Sequence, residues 1–423
     1  MISFGTAGAR SMSRPAEASR FGTPAALLLL LPMYLQSFHY VTDIYPLYVL
    51  SKAWPLLTLP LALLGLLRRP RYGTLLVAVL GYTVLVAPLF GMAYFDQGYA
   101  SAVTATVKVL PFTYYFSFLW LLSWLRPRPE DLARAFTLLG GASLLLLAVL
   151  WVVMPDEAYR TNTPGEANSL LFLWDTERGN RIVLPLVFGI LFLFLQARLA
   201  MRGAGYWRLA VVVLSLALLV IAYKQRTVIL CITVVLGWIV FSEARFTLRV
   251  VLAYGATLAG GALALFLATQ EGVFGLASLG GSLSVRELTV ELATDFLNRN
   301  PLGWLLGLGA LTRASEISFA EFFNHPNFYL ADIGWLGILF EYGLLGAGLI
   351  LAVYLVALRE GLRTPSSAPS TPLARQNALV PALTDGLRYM LLASPILSAI
   401  WAPGEVCTIL AIFIYLQRLA PRS

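Results

Sequence analysis

What most limits this chain is its unbroken apolar runs of about twenty residues, the length a helix needs to cross a bilayer. TPAALLLLLPMYLQSFHYV (23–41) and ARAFTLLGGASLLLLAVLWVVM (133–154) are two of them. Only 12% of the 423 residues are charged, against about 25% in soluble domains. Too few charges remain to keep such helices in water. In a bilayer each spanning segment must satisfy its own backbone, which leaves helices or a closed barrel. Barrel strands alternate over stretches of about ten residues, whereas these runs are continuous. The sequence therefore predicts an all-α polytopic membrane protein.

The runs fall near 23–41, 46–66, 73–92, 104–125, 133–154, 181–199, 208–223, 227–242, 248–268, 334–357, 386–402 and 404–418. They predict about twelve transmembrane helices. Arginines collect in alternate connections: Arg10, Arg14 and Arg20; Arg68, Arg69 and Arg71; Arg126, Arg128 and Arg134; Arg198, Arg202 and Arg208; Arg245 and Arg249; Arg359, Arg363 and Arg375; Arg418 and Arg422. The intervening short connections hold Asp43, Asp96 and Glu405, with Lys224 and Arg226 the exception. By the positive-inside rule this alternation places both termini in the cytoplasm. The net charge of +8 is then a matter of sidedness, and no nucleic-acid partner is expected. The basic segment 1–22 is expected to be a cytoplasmic tail before an uncleaved first helix, because no small-x-small pattern follows the long apolar stretch. Cys231 and Cys407 both lie inside apolar runs and read as small buried residues rather than disulfide partners or metal ligands.

Two outer connections are too long for simple turns, 155–180 and 269–333. In the second, SVRELTVELATDFLNRN places Val285, Leu288, Val290, Leu292, Phe296 and Leu297 at helical spacing. PLGWLLGLG and FAEFFNHPNFYLADIGWLG follow, too aromatic for a disordered loop. The expected organisation is a tail (1–22), transmembrane helices 1–9 (23–268), a large periplasmic loop folded as a cap (269–333), and helices 10–12 (334–418). The Pro/Ser/Thr-rich segment 360–385 reads as a flexible cytoplasmic linker. No internal repeat of the transporter type is visible.

Few side chains on the outer side can do chemistry. His39 ends the first run among aromatics, where an interfacial residue that behaves like Tyr40 is expected. His325 lies in the large loop between Asn324 and Asn327. An imidazole, with an ordinary pKa of about 6.5, accepts a proton near neutral pH. A structural histidine bonded to loop backbone is the other reading of it. Lys224 and Arg226 join two apolar runs directly, so they sit at the surface; Arg226 there either snorkels to lipid phosphate or grips a phosphate-bearing ligand. Lys52 and Lys108 fall in the outer halves of apolar runs, where buried charge is costly and faces a polar cavity. Together these cations suggest one anion-attracting pocket.

In order along the chain, RGNRIVLPLVFGILF (178–192), KQRTVIL (224–230), SVREL (284–288), PLGWLLGLG (301–309) and His325-Pro326-Asn327 leading into GWLGILFEYGLLG (334–346) resemble the O-antigen ligase/polymerase superfamily. Order and spacing carry the resemblance, over 170–357 and the helix layout. It implies a GT-C-like helical fold in the bacterial inner membrane and glycan transfer on the periplasmic face. The implied donor is an undecaprenyl-diphosphate-linked oligosaccharide, with no metal or other cofactor. The implied acceptor is a second lipid-linked glycan, as in a polysaccharide polymerase, or lipid A core, as in a ligase. A chain-length regulator or other glycan-assembly proteins are implied partners. Arg226 and Arg286 match the family's outer arginines and His325 its loop histidine, the three catalytic candidates. Asn180 sits where the family carries an asparagine. Lys224, Arg181, Asn180, Lys52, Lys108 and Asn327 are candidates for donor and glycan binding. In the family the histidine is often followed directly by asparagine, whereas here Pro326 intervenes. A lipid-glycan flippase or transporter is the rival from another class, and a membrane scaffold a third reading.

Overall fold

A computed structural model describes residues 22–36, 45–161, 171–175, 178–244, 281–311, 315, 317–326, 328–364, 378–395 and 403–419. His39, Asn327, the apolar run 248–268 and the middle of the expected linker, 365–377, lie outside the described residues. The helices are α1 (Gly22–Gln36), α2 (Tyr45–Leu57), α3 (Leu59–Leu67), α4 (Gly73–Gly81), α5 (Ala87–Phe95), α6 (Tyr99–Thr104), α7 (Tyr114–Leu125) and α8 (Pro129–Val153). A hairpin of β1 (Phe172–Asp175) and β2 (Gly179–Ile182) follows, then α9 (Val187–Met201), α10 (Trp207–Leu218) and α11 (Arg226–Glu243). The cap holds α12 (Gly281–Arg299), α13 (Pro301–Leu306) and α14 (Phe319–Phe322). The chain ends with α15 (Gly334–Arg363), α16 (Leu379–Ala393) and α17 (Pro403–Leu419).

Among the described residues six helical stretches are long and apolar enough to cross a membrane: Tyr45–Leu67, Gly73–Phe95, Tyr99–Leu125, Pro129–Val153, Arg226–Glu243 and Leu330–Arg363. Gly22–Leu35, Val187–Met201 and Trp207–Tyr223 are shorter apolar helices. The protein is an all-α membrane protein.

Local sequence explains where these helices start and bend. Pro129 opens α8 at a position whose N–H has no helical partner, and Glu130 and Asp131 face the positive end of its dipole. Between α4 and α5 the helix widens to a π turn at Tyr82–Val86, just before Pro88. Proline lacks an N–H and collides with the carbonyl four residues back, so widening the ladder lets the helix continue. A second π turn, Leu219–Tyr223, ends the α10 helix, with the Lys224 amide bonded to the Leu219 carbonyl at 2.9 Å.

Helix pairs α3–α7, α8–α9, α1–α8, α7–α17 and α9–α16 form the packed centre, around buried Tyr115, Phe136, Phe194 and Phe413. Gly140 lets α8 approach the Phe188 carbonyl of α9, where any Cβ would collide. With no water to drive helices together, such close backbone approach does much of the holding.

Several arginine-bearing connections meet. Thr23 Oγ1 donates to Asp131 at 2.9 Å, and the Tyr415 hydroxyl donates to the Pro127 carbonyl at 2.8 Å. Arg71 pairs with buried Glu360 at 3.0 Å, and Tyr72 and Gln417 donate to the same carboxylate. These bonds gather 68–72, 127–131 and 360–364 with the start of α1 and the end of α17. At the far end of α11 from Arg226, Arg198 joins Asp385 and Glu243, closing α9, α16 and α11 together.

Some expectations shift. The connection 155–180 contains β1 and runs into β2, so the run expected from 181 starts as strand; α9 begins only at Val187, after Pro185. In FLWDTERGNRI (172–182) an aromatic, apolar strand FLWD is followed by polar residues and by Gly179 (φ 64°), which opens the second strand, GNRI. Both ends of the expected linker are helical, since α15 runs to Arg363 and α16 starts at Leu379. The longest helix, α15, is broken at Gly343 (φ 61°, ψ −176°).

Candidate functional site

The cap is built on an aromatic core. Phe323 stacks on Phe328 at 4.3 Å between ring centroids, and Phe296 of α12 meets Phe322 edge-on at 5.4 Å. Phe95 reaches Phe322 edge-on at 4.9 Å from α5, and Phe340 reaches Phe319 at 5.6 Å from α15. Each such pair adds about 0.5–1.5 kcal/mol beyond the area it buries. Rings from the cap and from two membrane helices thus share one core.

His325 rides on this core. Ser318 and Glu321 form a capping box at the start of α14: the Glu321 amide donates to Ser318 Oγ at 3.2 Å, and the Ser318 amide donates to Glu321 at 2.7 Å. The Ser318 amide and hydroxyl, both donating to the Glu321 carboxylate, hold it below its ordinary pKa. Asn324 then turns the chain in the left-handed region (φ 49°). The His325 amide donates to the Ala320 carbonyl at 2.8 Å, and its carbonyl accepts from the Phe328 amide at 3.2 Å. The half-buried imidazole keeps Nδ1 enclosed with no hydrogen-bond partner among the described residues.

Arg286 belongs to the same unit. It lies one turn before Thr289, whose buried hydroxyl accepts a long 3.4 Å contact from the Tyr329 amide. Its charge acts on Asp332, and its Nε is likewise enclosed without a hydrogen-bond partner among the described residues. A buried polar atom left unpaired costs about 1–3 kcal/mol. Both atoms call for an explanation, as do the unpaired Trp54 Nε1 and Thr408 Oγ1 elsewhere among the described residues.

The hairpin organises a second set of cations. Leu173 pairs with Arg181 and Trp174 with Asn180 across the two strands. Arg160 runs alongside β1, its carbonyl accepting from the Trp174 amide at 2.9 Å. Asn180 donates to Asp156 at 2.7 Å. The π turn ending α10 delivers Lys224 in the left-handed conformation (φ 52°). From there its ammonium donates to the Arg178 carbonyl at 2.9 Å and lies 5.2 Å from the Trp151 ring centre. Arg181 acts electrostatically on Tyr223 in the same turn. Arg226 follows as the first residue of α11, with its side chain exposed. Burial, together with Asp156, pushes the Tyr159 phenol beside this hairpin up from its ordinary value.

The structure thus places His325 and Arg286 on the cap, Lys224, Arg181 and Asn180 at the hairpin, and Arg226 exposed at the start of α11, two residues on from Lys224. The two apolar-run lysines have protein partners. Lys52 donates to the Tyr48 hydroxyl one turn back at 2.5 Å, and its ammonium lies 4.1 Å from the centre of that ring. Lys108 sits 2.6 Å from both carboxylate oxygens of buried Glu341. The sequence singles out Lys108 but not its partner. The signal was present: Glu341 is a carboxylate within an apolar run, and ionisable groups at such depth pair with one another. Among the described residues no group of three or more His, Cys, Asp or Glu is placed to hold a metal ion.

Comparison of the chain with protein-family models and with curated proteins finds no match. Fold and side chains define an all-α membrane protein with an aromatic cap and a cationic hairpin.

Proposed function

We propose that the chain is an inner-membrane, metal-independent glycosyltransferase. It moves an undecaprenyl-diphosphate-linked oligosaccharide onto an acceptor glycan, as an O-antigen or exopolysaccharide polymerase. The observation that carries this reading is the presence, on one cap, of a histidine whose backbone is bonded on both sides and of an arginine, with His325 Nδ1 and Arg286 Nε both buried and unpaired among the described residues. The gathering of arginine-bearing connections away from the cap supports a periplasmic site with cytoplasmic termini.

In the transfer the acceptor hydroxyl attacks the donor sugar's C1 and the bond from C1 to the diphosphate oxygen breaks. His325 takes the hydroxyl proton, and the lipid diphosphate leaves with the bonding electron pair. Negative charge grows on the leaving oxygens, and fixed arginines stabilise it more in the transition state than in the ground state. Arg286 fits that role, with Arg226, Lys224 and Arg181 drawing in the diphosphate. A ligase would use the same donor chemistry with lipid A core as acceptor. The break in α15 favours a second reading, a lipid-glycan flippase, because discontinuous helices build transporter sites. A folded cap bearing an acid–base residue has no task in simple translocation.

The test is complementation of a glycan-deficient strain, read on a gel that separates single-unit from long-chain product. The expected result is a restored ladder that disappears with His325→Ala or Arg286→Ala while the protein still inserts. A normal ladder from either variant removes that residue from the mechanism. Restored lipid-linked single units without any polymer would support the flippase.

A further inference from the structure

The break in α15 and the glycine-rich end of the cap are two halves of one joint. Gly343 lies about 13 Å along α15 from Gly334, at 1.5 Å per residue. Beside it the cap segment 307–309 runs in among the membrane helices. The Leu308 amide donates to the Phe340 carbonyl at 2.8 Å, and the Gly309 amide to the Glu341 carbonyl at 3.1 Å. These carbonyls would otherwise stand unpaired in an apolar setting, which irregular backbone at membrane depth does not tolerate. A Cβ at Gly343 would strike the Gly307 amide and the Leu305 carbonyl, and one at Gly309 would strike Gly91 of α5. Two further bonds fix the segment: the Tyr82 hydroxyl donates to the Leu306 carbonyl at 2.6 Å, and Gln97 Nε2 to the Ala310 carbonyl at 3.2 Å.

Glu341 stands at the centre of this joint. Its backbone carbonyl holds Gly309, its carboxylate holds Lys108 from the 3-10 stretch Ala105–Thr113, and its neighbour Phe340 enters the aromatic core that carries His325. Both charges are nearly sealed from solvent, so the carboxylate at this position depends on its ammonium partner. We propose that Lys108 and Glu341 are positioning residues that seat the cap, and with it His325 and Arg286, on the membrane helices. Lys108 then serves the reaction through the joint rather than by touching the diphosphate.

The catalytic consequence rests on the glycan-transfer reading, whereas the seating does not, and the experiment separates them. Full-length protein is reconstituted in lipid, and hydrogen exchange at the Leu308 and Gly309 amides, which bond to Phe340 and Glu341 across the joint, reports seating. kcat and KM are measured with undecaprenyl-diphosphate-linked repeat unit extracted from the host. Lys108→Met is expected to speed exchange at both amides and to lower kcat about a hundredfold, as for a misplacement of about 1 Å, with KM unchanged. Lys108→Arg, and the exchanged pair Lys108→Glu with Glu341→Lys, are expected to restore both. Lost kcat with unchanged protection overturns the proposal in favour of a direct contact with substrate. Lost protection with full kcat overturns it too, as does an exchanged pair that folds but leaves both amides unprotected. If the parent protein transfers no glycan, the functional reading falls, and the exchange series alone decides the seating.

Discussion

Arg198 grips Asp385 at two points, Nε to Oδ2 at 2.7 Å and Nη2 to Oδ1 at 3.0 Å, with the carboxylate fully buried. The same guanidinium reaches Glu243 at 2.7 Å, which Arg202 also holds at 2.9 Å. Three helices meet on this network, α9 and α11 near their C-terminal ends and α16 in its second turn. Without Arg198, Asp385 keeps Arg388 at 2.5 Å and Glu243 keeps Arg202, so the loss stays below the about 3–5 kcal/mol of a buried charge left with no partner. Arg198→Ala should therefore lower the thermal unfolding midpoint in detergent, by less than a fully orphaned buried charge would. Arg198→Lys should recover only part of the loss, because an ammonium cannot make the planar two-point contact. A midpoint unchanged by Arg198→Ala would show that packing of α9 and α16 suffices without the ion pair.

Much of the helical frame was legible because membrane helices advertise themselves by length and apolarity. Each predicted run within the described residues coincides at least in part with a helix, and α12 occupies the span where Leu288, Leu292 and Phe296 kept helical period. The hairpin escaped notice because its flanks, FLWD and GNRI, are short, and a four-residue strand carries too little alternation to stand out beside twenty-residue runs. The break in α15 escaped for a different reason. Gly343 is one of several glycines in GWLGILFEYGLLGAG, and which of them adopts positive φ is decided by the arriving segment 307–309, a contact no local pattern encodes. The same holds for Lys108, where each charge was visible alone but the partner lies 233 residues away.

For His325 the predictions separate two roles. As general base, its loss should lower kcat by about 10²–10⁴-fold, and His325→Gln should behave like His325→Ala because an amide cannot accept the proton. If hydrogen bonding alone matters, His325→Gln will retain most activity while His325→Ala loses it. Single-turnover transfer in reconstituted vesicles distinguishes the two.

The cations of the hairpin should act on binding more than on chemistry. Arg226 is exposed at the start of α11, so Arg226→Ala should leave the stability within about 0.5 kcal/mol of the parent, as surface changes do. Its expected effect is a raised KM for the lipid-linked donor, steeper at low ionic strength because exposed charges are screened by salt. Arg226→Lys should recover the charge but not the bidentate contact to phosphate. An unchanged KM at every salt concentration would assign Arg226 to lipid headgroups instead.

Acid should loosen the segment that carries His325 before it disturbs the membrane helices. The Glu321 carboxyl is held below its ordinary pKa by the Ser318 amide and hydroxyl. A folded-state value below the unfolded one stabilises the capping box fully above the ordinary glutamate value of about 4.3, and that contribution disappears as pH falls through the lowered folded value. The Asn324 and His325 amides bond to the Glu321 and Ala320 carbonyls of the same turn, so their hydrogen exchange reports its integrity. Once corrected for intrinsic rates, protection at these two amides should drop as pH falls below 4 in the parent. In Glu321→Gln, which has no proton to gain, protection should be weaker at neutral pH and change little with acid. Equal protection at all pH values in the parent would mean that the aromatic core, rather than the capping box, fixes His325.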